Sequence, residues 1–267
     1  MTFAFNPPTI ATVAIRNTSD LFPVHRIYCV GRNYAAHARE MGSDPNREPP
    51  FFFCKPADAV WPIAMPVGAG EANATKTTAL QGGRAKDTLL AVADGNTPSL
   101  PYPSATSNLH HEIELVVAIG TGGRDISADQ AEKHIWGYGV GLDMTRRDLQ
   151  SRLKEKGQPW ELGKAFDCSA PISALVPASE CGHPDAGRIW LSVNDQLKQQ
   201  GDISDMIWST PEIIRHLSAY FELQPGDLIF TGTPEGVGPV KPGDLISAGV
   251  DGLAEISLRI GERLSDA

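Results

Sequence analysis

Apolar positions along this chain recur mostly at a period of two, the mark of strands whose side chains alternate between two faces. Over residues 110–119 this alternation sets Ile113, Leu115, Val117 and Ile119 on one face and His110, Glu112, Glu114, Val116 and Ala118 on the other. The second face turns from acidic to apolar partway along, whereas a solvent-facing side would stay polar throughout. The two glutamates are therefore expected to point into a partly closed space. The plainer alternative is an edge strand with two solvated carboxylates, the usual state of glutamate.

Helical spacing is rarer. Ile213, Ile214 and Leu217 predict a helix over 211–220, and Leu149 and Leu153 predict another after Asp143. Thr145 and Asp148 have the offset of a capping box for that second helix, and Gly157 and Pro159 would end it. A third, short helix is expected in NYAAHAREMG, capped by Asn33 and closed by Gly42. The segments QPGDLIF and KPGDLIS repeat a Pro-Gly turn that leads into an apolar strand, which reads as two similar hairpin corners. Residues 1–25 read as a small strand-and-loop extension and residues 26–267 as one catalytic domain, with no linker between independent units. Within it, residues 60–108 read as a long inserted loop rich in Ala, Gly and Thr, with a possible short helix near 87–92. The fold class expected is α+β and β-rich, with few short helices.

Composition narrows the partners. The chain has 267 residues, enough for a sizeable core in one domain, and carries 32 acidic against 23 basic residues for a net charge of -9. No basic run is present, which argues against nucleic acid or an anionic membrane as the main partner. If the substrate is itself an anion, its attraction must be local. Cys29, Cys54, Cys168 and Cys181 are scattered without paired spacing and suggest no disulfides. Nothing reads as a membrane span or a signal sequence, so the location expected is cytoplasmic.

The candidate chemistry starts from Glu112 and Glu114. Adjacent buried anions raise each other's energy unless a cation intervenes, which points to a metal site. Asp143, closing the Gly-rich apolar run WGYGVGLD, supplies a third carboxylate, although alone it would read as a cap or turn residue. An all-oxygen set suits Mg2+ or Mn2+; zinc is disfavoured because His110 and His111 lack HExxH or CxxC spacing. His37 and Glu40 lie three apart and share one helical face, so the glutamate can hold the imidazole in one tautomer and make it a better base toward water. Outside such a context the same pair is usually a solvated surface contact.

Six blocks then carry a resemblance: CVGRNYAAHAREMG, PPFFFCKPADA, LHHEIELVVAIG, GYGVGLDMTRRDLQ, GQPWELGKAFDCSAPIS and TGTPEGVGPVKPGD. The chain resembles the fumarylacetoacetate hydrolase superfamily and within it is most similar to the fumarylpyruvate hydrolases and acylpyruvases. The resemblance implies a mixed β-sandwich or roll, a Mg2+ or Mn2+ site at Glu112, Glu114 and Asp143, a catalytic His37–Glu40 pair, Lys164 in the active site, and a homodimer. The chain departs from the family pattern in the length of the segment between Ala59 and Leu109, which would be a lid over the site or an inert insertion.

The implied activity is metal-dependent hydrolysis of a carbon-carbon bond in a 2,4-dioxo acid, fumarylpyruvate first among them, as in gentisate-type aromatic degradation. Lys164 would offset oxyanion charge or, alternatively, pair with a metal-site carboxylate. Arg147 and Gln150, one turn beyond Asp143, could meet substrate oxygens or be solvated. Thr233, in the Gly-rich loop TGTPEGVGPV, is the candidate contact for a substrate carboxylate, against a purely structural turn. Lys55 is a possible second anchor for an anionic tail. Two other functions stay open: decarboxylation of oxaloacetate or a related 2-oxo diacid, and a non-enzymatic metal-dependent binding module.

Overall fold

The structure, a computed structural model, describes residues 3–40, 48–63 and 97–263. Its centre is an eight-stranded sheet in which Phe51–Lys55, Ile27–Gly31, Leu228–Phe230, Ile113–Ile119, Ile135–Leu142, Ala170–Ile172 and Val60–Pro62 follow one another side by side, with Val176–Pro177 also pairing to Ile135–Leu142. Pairing is mixed: Leu228–Phe230 runs parallel to Ile27–Gly31 and antiparallel to Ile113–Ile119. A five-stranded sheet of Gln196–Asp202, Arg188–Val193, Leu245–Val250, Ile256–Arg263 and Ser99–Tyr102 forms the second large layer. Thr145–Arg146, Leu109–His111 and Gly238–Val240 form a separate three-stranded ribbon. The β-rich reading with few helices is met.

Both faces of the central sheet are covered, which explains the odd pattern of the Ile113–Ile119 strand. Ile113, Leu115, Val117 and Ile119 join one core cluster together with Leu191, Ile246, Leu258 and Ile260 of the five-stranded sheet. Val116 and Ala118 join a second cluster with Phe230, Cys29 and Ile172. Strands buried on both sides read as near-continuous apolar runs, so the acidic start of this face marks the place where the core gives way to something else. The edge-strand reading is excluded, since Glu112 is 5% exposed and Glu114 2%.

The strand is also not continuous. It breaks at Glu112, where the chain leaves the three-stranded ribbon, entered at Leu109–His111, and joins the central sheet at Ile113. The first residues supply the short strands Thr12–Ala14 and Leu21–Pro23, whose Val13 and Phe22 fill the second cluster. The span expected to be one inserted loop, 60–108, carries strands at both ends, Val60–Pro62 and Ser99–Tyr102, because Trp61, Leu100 and Tyr102 have apolar cores to enter. Residues 64–96, with the short helix expected near 87–92 and the lid-or-insertion question, lie outside the described residues.

The helix Thr210–Tyr220 forms as expected, opened by a capping box between Ser209 and Glu212 and burying Ile213, Ile214 and Leu217. The helix Arg147–Glu155 also forms and ends at Gly157, whose φ of +62° permits the reversal. Its expected capping box does not form. Thr145 sits in the short strand before the helix and its hydroxyl donates to the Asp143 carbonyl at 3.1 Å, while the Asp148 carboxylate accepts from Thr106 Oγ1 at 2.6 Å and from the Ser107 amide at 3.2 Å. Tertiary partners outcompete the local cap.

The two PGD turns share one geometry but are not hairpin corners. In each, the aspartate side chain accepts from the amide three residues earlier, Asp227 from Gln224 at 2.8 Å and Asp244 from Lys241 at 2.9 Å. Each turn admits the chain to a different sheet, Leu228–Phe230 to the central one and Leu245–Val250 to the five-stranded one. No helix among the described residues is long and apolar enough to cross a membrane.

Candidate active site

The break at Glu112 and the end of the Ile135–Leu142 strand lie side by side, because the Asp143 amide donates to the Glu112 carbonyl at 2.8 Å. This register brings Glu112, Glu114 and Asp143 together, with one carboxylate oxygen from each within 4.8 Å of the others. All three are buried. Glu114 faces the same space from within the central sheet, and one of its oxygens accepts from the Gly232 amide at 2.7 Å. Gly232 has a φ of +104° and its missing Cβ would lie 2.6 Å from Asn33 Cβ, so only glycine allows that approach.

Three cations pair with two of these three carboxyl groups, Glu112 and Asp143. Lys164 Nζ lies 2.8 Å from Glu112, 2.6 Å from Asp143 and 2.7 Å from Thr145 Oγ1. It reaches them from the short helix Glu161–Lys164, which packs on Arg147–Glu155 through Gly163, where a Cβ would meet the Gln150 backbone at 2.9 Å. Arg147 donates to Glu112 through Nη2 and to Gln150 Oε1 at 3.2 Å. Lys55 Nζ stands 2.8 Å from Asp143 Oδ1, an ion pair by distance although that oxygen has no partner at hydrogen-bond geometry. Lys55 also donates to the carbonyls of Met144 and Lys164.

This arrangement sets the protonation of the carboxyls. Burial alone would raise Glu112, yet Lys164 and Arg147 bring it below the usual carboxylate range. Burial, then Asp143 and Glu112, push Glu114 well above that range, and the Gly232 amide counters only part of this. Burial works against the Lys164 ammonium, but Asp143 and Glu112 raise it overall. Glu114 is thus a buried carboxyl among anions with no cation of its own among the described residues. An all-oxygen, convergent, buried donor set in which one carboxyl lacks a cation partner fits a hard divalent cation.

His37 is 6% exposed and its Nδ1 lies 3.2 Å from Glu40 Oε2 in the helix Ala35–Glu40. The Gly236 amide donates to the same Glu40 carboxylate at 3.2 Å, which ties the helix to the 231–236 loop. Asn33 does not cap this helix. Its amide nitrogen donates to the carbonyls of Trp208 at 2.9 Å and Thr231 at 2.7 Å, and its oxygen accepts from the Trp208 amide at 2.8 Å. Gly42, expected to end the helix, lies outside the described residues.

One cleft joins these groups. Its lining includes His37, Glu112, Glu114, Asp143, Arg147, Gln150, Lys164 and Thr233, with Val30, Phe53 and Trp160 as an apolar wall and Arg32 and Lys154 also on the lining. Arg147 and Gln150 are buried rather than solvated. Thr233 is buried and its hydroxyl accepts from Gln199 Nε2 at 2.8 Å, so the loop is structurally anchored as well as lining the cleft. Lys55 departs from expectation: it is not on the cleft wall, because a buried ammonium requires a counter-ion and acceptors, and it finds them in Asp143 and two carbonyls. Lys164 pairs with site carboxylates, as the alternative reading had it.

Gln199 escaped the sequence reading. It is fully buried, and its carbonyl oxygen lies 2.8 Å from His111 Nδ1 and accepts from the Ile113 amide at 3.2 Å. A single side chain from the five-stranded sheet thereby braces both sides of Glu112 and the Thr233 loop. A lone Gln in the polar run QLKQQGD gives no signal of this.

Comparisons with known proteins show what the chain resembles as a whole. A crystal structure of fumarylpyruvate hydrolase from Pseudomonas aeruginosa, in complex with Mn2+ and pyruvate, is 52% identical, with a TM-score of 0.86 over 98% of this chain and 100% of that one. A mitochondrial oxaloacetate tautomerase from Oryza sativa subsp. japonica is 40% identical over 89% of this chain and 92% of its own length. Another from Mus musculus is 41% identical over 88% and 90%. The family model described as fumarylacetoacetate (FAA) hydrolase C-terminal matches residues 26–261, and the chain belongs to the fumarylacetoacetate hydrolase family.

Proposed function

We propose that this protein is a divalent-metal-dependent acylpyruvate hydrolase that cleaves a carbon-carbon bond of a 2,4-dioxo acid, with fumarylpyruvate the leading substrate and fumarate and pyruvate the products. The observation that carries this is the convergence of Glu112, Glu114 and Asp143 in one cleft with the His37–Glu40 pair. Those three carboxylates would hold Mg2+ or Mn2+, which when bound would polarise the substrate carbonyls and spread the charge of the leaving enolate, an effect worth several kcal/mol in enzymes generally. Glu40 accepts from His37 and keeps its other ring nitrogen available to a water. His37 takes a proton from that water, and the hydroxide adds to the 4-carbonyl carbon. The bond between C3 and C4 then breaks, the acyl half leaves as a carboxylic acid, and pyruvate departs as its enolate and gains a proton at C3. Lys164 and Arg147 offset negative charge at the cleft floor, and Gln150 and Thr233 offer hydrogen bonds to the substrate's oxygens. The expected homodimer, cytoplasmic location and gentisate-type pathway belong to the same reading.

A second reading is favoured by the relatives named as oxaloacetate tautomerases. They share the 2-oxo diacid of the decarboxylase alternative, but the reaction they name is a proton transfer that leaves every carbon-carbon bond intact. Following the enol absorbance of fumarylpyruvate, acetylpyruvate and oxaloacetate in parallel, with and without Mg2+ or Mn2+, separates the cases. Metal-dependent loss of fumarylpyruvate with fumarate and pyruvate as products supports hydrolysis. Consumption or interconversion of oxaloacetate alone overturns it.

A further inference from the structure

The strand Gln196–Asp202 lies at the edge of the five-stranded sheet, and every residue in it keeps some exposure except Gln199, which is fully buried. A buried strand position ordinarily holds an apolar side chain, because a buried amide costs free energy unless its donors and acceptor are met. At Gln199 they are met by groups of the cleft. The Gly-rich loop comes within reach because glycines separate it from the strand: Gly236 holds a φ of +89°, and a Cβ there would run into the Lys198 carbonyl oxygen, while a Cβ on Gly201 would lie 3.0 Å from Pro234 Cβ.

Two partners fix which way round the amide lies. The Ile113 N–H can only donate, so the atom it meets at 3.2 Å is Oε1; the Pro234 carbonyl can only accept, so the atom 2.9 Å from it is Nε2. The other two bonds then follow. His111 Nδ1, 2.8 Å from Oε1, carries a proton and donates it, and Nε2 donates to Thr233 Oγ1 at 2.8 Å. A hydroxyl that accepts from an amide N–H cannot send its own proton back along that bond. The Thr233 proton meets no acceptor among the described residues, and Thr233 lines the cleft that holds Glu112, Glu114 and Asp143.

We infer that Gln199 is a positioning residue: by donating to Thr233 it commits that hydroxyl to act as a hydrogen-bond donor toward an oxygen of the substrate's carboxylate. Gln199 itself is not on the cleft lining and acts only through its neighbour. A committed donor suits this place, because the substrate is an anion and a freely rotating hydroxyl would as readily offer it a lone pair. The inference rests on the acylpyruvate reading above, in which Thr233 meets substrate oxygens, and deepens it by assigning the direction of that hydrogen bond.

The test measures kcat/KM for fumarylpyruvate at pH 8 in the Mg2+-loaded wild type, in Thr233→Val, Gln199→Met and Gln199→Glu, and in both double variants, with melting temperatures alongside. Thr233→Val and Gln199→Met are each expected to lose about 10-fold to 100-fold, chiefly through KM, the usual effect of removing a hydrogen bond to a charged group. Each double variant is expected to lose no more than the worse of its two single variants. Gln199→Glu keeps the shape and the acceptor for Ile113 and His111, but an ionised carboxylate accepts the Thr233 proton and draws it from the substrate. It is therefore expected to lose as much as Thr233→Val, whereas a side chain that only filled space and braced the sheet would be rescued by it. Should Gln199→Met not fold, Gln199→Glu and its double variant carry the same comparison. Losses that multiply in the double variants, or wild-type kcat/KM in Gln199→Met or Gln199→Glu, show that Gln199 does not set the hydroxyl, and only this inference falls. If the wild type turns over neither fumarylpyruvate nor acetylpyruvate, the acylpyruvate reading falls and takes this inference with it.

Discussion

Glu114 and Val116 are neighbours on one face of one strand, both buried, yet they belong to regions governed by opposite physics. Val116 belongs to the second core cluster, which is apolar, with Phe230, Ala118 and Ile172 among its members. Around Glu114 two further carboxylates, two lysines and an arginine are packed out of water. Burying ion pairs rarely adds net stability, because desolvation consumes most of the Coulombic gain. The apolar half of the strand therefore holds the fold, and the acidic half is retained for what it can bind.

The sharpest way to break this contrast is to remove a carboxylate. Glu114→Ala should cut metal-dependent turnover by about a thousandfold or more, roughly 4 kcal/mol of transition-state stabilisation. It should leave the melting temperature of the metal-free protein unchanged or higher, because the deleted group is crowded by Asp143 and Glu112. Retained turnover at ordinary metal concentrations would remove Glu114 from the site.

The apolar half should respond in the opposite sense. Phe230→Ala, at a fully buried ring, should lower unfolding free energy by about 3–5 kcal/mol in denaturant titrations, whether or not a divalent cation is added. Lys164→Met should cost a similar amount, about 3–5 kcal/mol, because it removes the ammonium that Glu112 and Asp143 share and leaves Arg147 alone on one and Lys55 alone on the other. Here added Mg2+ should restore much of the loss. An equal response of both variants to Mg2+ would erase the distinction between the two regions.

A smaller effect concerns pH. Burial first, then Arg147, lowers His110 to about 4 from an ordinary value of 6.5. Its Nδ1 accepts from Arg147 Nε at 3.4 Å and its Nε2 lies 2.9 Å from Asn108 Oδ1, a pattern that needs the neutral ring with its proton on Nε2. Between pH 6.5 and 4 the unfolded chain binds this proton and the folded one does not, so stability should fall as pH falls through that window. In thermal melts of the metal-free protein, His110→Gln should flatten that slope; an unchanged slope would assign it to other groups. Smallest of all, iodoacetamide at pH 8 should label exposed Cys54 before Cys168, whose thiol burial raises to about 11, and should spare fully buried Cys29.

Legibility of the sequence followed the same divide. The carboxylate pair was readable because a period-two face that changes from acidic to apolar has no solvent-exposed explanation, and His37 with Glu40 because three-residue spacing is a local rule. At Thr145, Asn33 and Lys55 local rules mislead for a common reason: each resembles a local cap or anchor, but a distant group also claims it, Lys164 for Thr145, Trp208 and Thr231 for Asn33, Asp143 for Lys55. Gln199 and the break at Glu112 were invisible, since both depend on how the ribbon and the two large sheets meet.

The most direct test is to crystallise the protein with Mn2+ and locate the ion by its anomalous scattering. The account predicts one strong peak bonded, at about 2.0–2.3 Å, to oxygens of Glu112, Glu114 and Asp143, with His37 facing the same cleft. A peak elsewhere, or a fully loaded crystal with Glu112 and Asp143 still held only by Lys55, Lys164 and Arg147 and Glu114 only by the Gly232 amide, would contradict it.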